Sequence, residues 1–153
     1  MISAVLDTNV IASAVLIRGG IEDRVLRAWC LGQYRLVLSL PILEEVRRVL
    51  EYPRIRSRRW MSDEETVHLL ERLAESSALV EGKQRLRICR DPADDKFVVA
   101  ALEGKADYIV TGDADLLDLG KYQDIEIVTP RQLLRILLLE PMGYQRAGPL
   151  PEE

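Results

Sequence analysis

A chain of 153 residues, 48 % of them apolar and 30 % charged, has the size and balance of one globular domain around a single core. No apolar run approaches the roughly 18 residues that span a bilayer, and the net charge of -4 argues mildly against a nucleic-acid partner. The opening MISAVLDTNV lacks the basic head and small-residue cleavage site of a signal peptide and reads as a first strand, so residence in the cytoplasm is expected. Cys30 and Cys89 stand far apart with no metal-ligand spacing, which predicts buried thiols rather than a zinc site or a disulfide framework. His68 is the single histidine and falls in a helical pattern after Ser62, so any catalysis must run on carboxylates rather than on a His triad.

Strand-like and helical runs alternate along the chain, the pattern of a parallel α/β sheet. The first strand is predicted over 2–7 (ISAVLD), followed by helices over 9–16 and 21–32. A strand over 35–39 (RLVLS) leads into a helix over 41–51, and the capping box Ser62-Asp63-Glu64-Glu65 opens another over 63–77. A weaker strand is predicted at either 78–81 or 86–89. Asp91-Pro92-Ala93-Asp94 then starts a helix over 92–104, with Asp91 as its cap and Asp94 in its first turn. Strands over 107–111 (DYIVT) and 125–128 (IEIV) follow. Thr129-Pro130-Arg131-Gln132 sets a hydroxyl at the N-cap, proline at the first helical position and glutamine at the third, opening a last helix over 130–139. The domain is read as residues 1–140. Residues 141–153, PMGYQRAGPLPEE, are too rich in proline and glycine to continue that helix and are expected to form a tail.

Acidic residues fall where these strands end or the next helices begin: Asp7, Glu45, the pair Asp94 and Asp95, and Asp113. In a parallel sheet those ends line one edge, where ligands bind. Carboxylates gathered there repel one another unless a cation or a shared proton intervenes, so a metal-dependent hydrolase is the first hypothesis. Ordinary structural roles also suit some of them: Asp7, before Thr8-Asn9, fits a turn or cap, and Asp115 fits a cap or a supporting acid beside Asp113.

Helical geometry at about 100° per residue ranks the doublets. With Ile42 at zero, Val46, Val49 and Leu50 lie between roughly -20° and 80°, Glu45 at about -60° and Glu44 near 200°. Glu45 therefore flanks the buried stripe while Glu44 faces solvent. With Asp95 at zero, Leu102, Val99 and Val98 all lie within about 60° of it, so Asp95 sits on the apolar face and needs a partner: a metal, a basic side chain or the helix N-terminus. Asp94 falls on the flank, where capping explains it. Elsewhere six arginines, Arg47, Arg48, Arg54, Arg56, Arg58 and Arg59, accompany one acid, Glu51. That cluster suits phosphate contacts, or equally a solvated helix end and loop.

The acids sit in the segments VLDTNVIASA (5–14), LSLPILEEV (38–46), DPADDKFVVAA (91–101) and ADYIVTGDADLL (106–117), closed by IVTPRQLL (127–134). In this order the segments resemble the PIN domain nucleases, and more narrowly the PIN-family toxin components of bacterial and archaeal toxin-antitoxin pairs. No single piece is specific; five in register are. The resemblance implies a three-layer α/β/α sandwich with a parallel sheet in the order 3-2-1-4-5. It implies Mg²⁺ or Mn²⁺, one or two ions, held by Asp7, Glu45, Asp95 and Asp113 as catalytic acids, with Asp94 and Asp115 as further metal-side acids. Asn9, Ser39 and Thr111 would orient ligands or touch substrate. The implied reaction is hydrolysis of single-stranded or loop RNA by metal-activated water, with the six arginines offered to the phosphates. The implied partners are RNA, a cognate antitoxin and a second copy of the chain.

Three other readings fit less well. A haloacid dehalogenase-type phosphatase needs a second Asp two residues after the first, where this chain has Asn9. A receiver domain needs paired acids after the first strand and a later strand-end lysine, and dinucleotide binding needs a Gly-rich first turn. A PIN fold that acts as a catalytically silent module, through protein partners or RNA, is the alternative from another class.

Overall fold

The computed structural model describes residues 1–139, so the tail expected at 141–153 lies outside the described residues. The apolar run after Met1 forms β1 (Ser3–Leu6), buried at all four positions. Side chains alternate between the two faces of a strand, so complete burial means that helices cover both faces of the sheet. The chain continues through α1 (Thr8–Leu16), α2 (Ile21–Cys30), β2 (Arg35–Ser39), α3 (Leu40–Leu50), the single turn α4 (Pro53–Arg56), α5 (Asp63–Ser76) and β3 (Ala78–Val80). An irregular stretch and a 3-10 turn (Pro92–Asp94) precede α6 (Asp95–Glu103) and β4 (Tyr108–Val110). The described part ends with α7 (Ala114–Leu119), β5 (Lys121–Tyr122), β6 (Ile125–Val128) and α8 (Pro130–Leu139).

The sheet runs β3-β2-β1-β4-β6-β5, parallel throughout except for the last pair. With β6 as the fifth long strand, this is the predicted order 3-2-1-4-5 plus a two-residue antiparallel strand at the edge. The weaker strand lies at 78–80 and not at 86–89, where the backbone is irregular. The helix predicted over 21–32 stops at Cys30, and Gly32 follows at φ +76°, a left-handed conformation that ends a helix. α4, α7 and β5 are additional to the predicted elements.

Capping fixes several of the helix starts. The Ser62 hydroxyl accepts from the Glu65 N–H at 3.0 Å while the Glu65 carboxylate accepts from the Ser62 N–H at 3.1 Å. Thr129 and Gln132 repeat that exchange at 3.1 and 2.8 Å. Each such cap contributes about 1 kcal/mol.

α6 lies across β1, β2 and β4, α1 packs on α2 and α3, and α2 carries α8. The end of α6 comes so close to β2 that a Cβ on Gly104 would stand 2.4 Å from Val37 Cγ1. Leu6, Ile11, Leu36, Leu38, Phe97 and Ile109 fill the centre, each stabilising the fold by about 1.5–3 kcal/mol through burial. Trp29 belongs to this core, and half-buried Trp60 donates its Nε1–H to the Ala14 carbonyl at 2.9 Å. The expectation of buried thiols is corrected at Cys30, which ends α2 and is exposed; Cys89 is half-buried. His68 is exposed on α5. Among the described residues no helix is long and apolar enough to cross a membrane.

Candidate active site

The strand order reverses at β1, with β2 on one side and β4 on the other. Such a switch point leaves a crevice at the carboxyl ends of the two diverging strands. Asp7 stands there because it directly follows β1, and its N–H continues the ladder to the Val110 carbonyl at 2.9 Å. Its carboxylate caps α1 by accepting from the Asn9 N–H at 3.1 Å and also accepts from the Thr111 hydroxyl at 2.7 Å. The Thr111 oxygen in turn accepts from the Asp113 N–H at 3.0 Å. One buried hydroxyl thus ties the ends of β1 and β4 together. Asp113 caps α7, its Oδ2 accepting from the Leu116 N–H at 3.1 Å.

Burial drives the Asp7 carboxyl above its ordinary value, helped by the charges of Glu45 and Asp113 and opposed by the Thr111 and Asn9 hydrogen bonds. Asp94 is pushed up to about 6, first by partial burial and then by the charges of Asp113, Asp7 and Asp91, with Lys96 pulling the other way. The charge of Asp113 thus bears on both Asp7 and Asp94, and that of Asp7 on Asp94. Glu45, from the second turn of α3, accepts from the Thr8 hydroxyl and pairs with Lys96 Nζ at 2.8 Å.

Asp95 is elsewhere. Its expected partner, a metal, a base or the helix N-terminus, is replaced by backbone: Oδ1 accepts from the Ile88 and Cys89 N–H groups at 3.1 and 2.7 Å. Burial raises this carboxyl, but those two bonds and the Cys89 thiol outweigh it and hold the group below its usual range. Asp94, expected to be explained by capping, makes no cap hydrogen bond. The reason is local: α6 begins at Asp95, and residues 92–94 wind as a tighter 3-10 turn, so a uniform 100° step misplaces Asp94.

Ser39 is fully buried and caps α3 by accepting from the Ile42 N–H at 3.3 Å. Asn9 is exposed beside Asp113, Gly112 and Pro130 around a hollow of about 430 Å³. Asp115 pairs with Arg90 at 3.1 Å. The six arginines do not gather at the acids. Arg47 pairs with Glu44, Arg56 with Glu51 and Asp63, and Arg59 with Asp63 and the carbonyls of Leu50 and Met61. Arg48 acts on Glu44, while Arg54 and Arg58 are exposed. α3 starts at the acidic edge and runs 11 residues, about 16 Å, so α4 and its arginines lie toward the opposite edge. Lys96 and Thr8 are the site residues that sequence reasoning passed over. A lone cation following two acids was the available signal for Lys96.

As the side chains stand, among the described residues no group of three or more His, Cys, Asp or Glu is spaced to hold one metal ion. The donors are nevertheless hard carboxylate oxygens, and the charges of their neighbours help to raise Asp7 and Asp94. Mg²⁺ is commonly held by one or two carboxylates together with water and substrate phosphates, an arrangement this looser set fits.

A parallel α/β sheet with acids at its switch point is the architecture of a broad class of phosphate- and metal-handling proteins. Residues 3–115 match the PIN domain, and the chain belongs to that family. An uncharacterized protein of Methanocaldococcus jannaschii is 30 % identical over 142 residues, covering 87 % of this chain and 90 % of that protein. In fold the chain is similar to the crystal structure of FitAcB from Neisseria gonorrhoeae, with a TM-score of 0.52 and 16 % identity over 84 % of this chain and 98 % of that one. At the level of the family the chain is a nuclease-like protein, and PIN domains typically use divalent metals.

Proposed function

We propose that the chain is an endoribonuclease that hydrolyses phosphodiester bonds in the crevice between β1 and β4, using Mg²⁺ or Mn²⁺. The observation that carries this is the Thr111 hydroxyl, which binds Asp7 at 2.7 Å and the Asp113 N–H at 3.0 Å and so holds two strand-end acids on one crevice. Asp94 joins them from the 3-10 turn, and Glu45, held by Thr8 and Lys96, completes the rim. Asp7 with Asp94 or Asp113, completed by water, would hold the ion, and Glu45 and Asp115 would be further acids near it. The bound ion would make a water nucleophilic near neutral pH and offset charge on the leaving 3′ oxygen.

The protein's own part is to keep these oxygens fixed before substrate arrives. Asp7 accepts two hydrogen bonds, which leaves its carboxylate little freedom to turn. Lys96 neutralises Glu45 and stands ready to meet a phosphate oxygen at the same edge. Asn9, exposed beside Asp113, would touch substrate. Asp95, bound to backbone, has a positioning role. That RNA is the substrate, and that an antitoxin and a second copy are the partners, are inferred from the family resemblance. A small open reading frame beside the gene would support the antitoxin.

Labelled RNA incubated with the protein and Mn²⁺ tests this reading. Asp7→Asn preserves the cap acceptor yet is expected to lower the cleavage rate at least 100-fold. Cleavage that survives the substitution points to a contaminating nuclease. A silent binding module is the second reading, favoured by the spacing of the acids, which among the described residues brings no three together around one ion. Mn²⁺ binding with no cleavage of any RNA would favour it.

A further inference from the structure

The stretch from 81 to 91 has no helix or strand, yet it is fastened to α6 twice. Gly82 and Gln84 donate their N–H groups to the Glu103 carboxylate at 2.8 and 3.0 Å, while Ile88 and Cys89 donate to Asp95. Gly82, at φ +73°, lies against the first turn of α3, where a Cβ would stand 2.9 Å from Pro41 Cδ. Between the fastenings Leu86 is half-buried and Arg85 and Arg87 are exposed. These arginines, with Gln84, Ser39 and Lys96, line a groove of about 850 Å³. Lys83 pairs with Glu81 at 3.2 Å and Arg90 with Asp115; among the described residues Arg85 and Arg87 form no ion pair within 4 Å, although the Arg87 charge reaches Asp95, which also lines the groove. The groove reaches Lys96, whose Nζ is on Glu45, so its cationic wall leads to the rim of the crevice at Glu45.

We propose that this groove is the track of a single RNA strand, with backbone phosphates on Arg85 and Arg87 and the scissile bond carried past Lys96 to the acids. The proposal rests on the nuclease reading and names the surface that delivers its substrate. Two exposed guanidinium groups on a segment fastened at both ends present planar donors that match phosphate oxygens and are already positioned. A single strand suits the site because Asp7 is only 4 % exposed. A flexible backbone can be drawn into such a recess, whereas phosphates on a rigid duplex cannot.

Fluorescence anisotropy of a labelled single-stranded RNA oligomer on the full chain, titrated with salt in EDTA, tests the groove without cleavage. Arg85→Ala/Arg87→Ala is expected to weaken binding about ten-fold or more at low salt and to flatten the log–log salt slope by about 1.4, the loss of two phosphate contacts on a single strand. Arg54→Ala/Arg58→Ala removes equal charge on and beside α4 and should leave the slope unchanged. The reverse pattern overturns the proposal, as does tighter binding of a duplex or an absence of salt-dependent binding by the unmodified protein. Cleavage in Mn²⁺ is read separately. Groove-dependent binding without cleavage sinks the nuclease reading and keeps the track, while cleavage and binding that ignore Arg85→Ala/Arg87→Ala sink the track and keep the nuclease.

Discussion

Asp94 and Asp95 are neighbours in sequence with opposite environments, and pH separates them. Asp94 is pushed up to about 6 by partial burial and then by neighbouring carboxylates, whereas Asp95, though buried, meets N–H groups and is held low. For Asp94 the folded state binds the proton more tightly than the unfolded chain, whose value is 3.8. Its stabilising contribution is therefore complete below about pH 3.8 and is lost as pH rises through about 6. Asp94→Asn should accordingly be as stable as the parent at pH 3.5 and more stable at pH 8 in EDTA. Discounted for partial exposure, the gain is on the order of 1 kcal/mol, or about 3 °C in Tm. Melting curves at the two pH values decide it; a loss of stability at pH 8 would show that Asp94 is favourably bound and not repelled. Sequence alone located this doublet at the start of a helix and set Asp95 on the buried face, but it gave Asp94 a capping role that the structure does not show. A one-residue difference in where a 3-10 turn becomes an α-helix redirects both side chains, and no periodicity records that.

At the scale of elements, α6 does two jobs: it lies across the central strands and it fastens the 81–91 segment through Asp95 and Glu103. Asp95→Ala would leave the Ile88 and Cys89 N–H groups without their acceptor and should cost about 2 kcal/mol, since a partly buried donor left unpaired bears its desolvation penalty. It should also speed tryptic cleavage after Arg85 and Arg87. Asp95→Asn retains the acceptor oxygen and should keep most of the stability and most of the RNA cleavage. If Asp95→Asn instead abolishes cleavage as Asp7→Asn does, Asp95 is a ligand and the backbone bonds are secondary. The long elements were legible because β1 and β2 are continuous apolar runs and α3, α5 and α8 carry clear caps or stripes. α4, α7 and β5, at four, six and two residues, are too short to show a period. The irregular 81–91 segment owes its shape to carboxylates at residues 95 and 103, which local pattern cannot reveal.

Across the whole molecule, the reversal of strand order at β1 brings Asp7 and Asp113, more than a hundred residues apart in sequence, onto one crevice with Asp94. Folding thereby gathers like charge, and the gathered charge is most unfavourable when no cation is present. A divalent ion that binds the folded chain and not the unfolded one stabilises it by RT ln(1 + [L]/Kd), about 1.4 kcal/mol at ten times Kd, or roughly 4 °C in Tm. Mn²⁺ should therefore raise Tm at pH 8, and raise it less at pH 5, where a proton on Asp94 competes with the ion for the same oxygens. Asp7→Asn/Asp94→Asn should lose this response while being no less stable in EDTA, because it removes the repulsion together with the binding site. Thermal melts of both proteins with and without Mn²⁺ at the two pH values make the comparison. An equal rise in parent and double variant would place the ion on surface acids, and a rise greater at pH 5 than at pH 8 would mean that Asp94 takes no part in holding it.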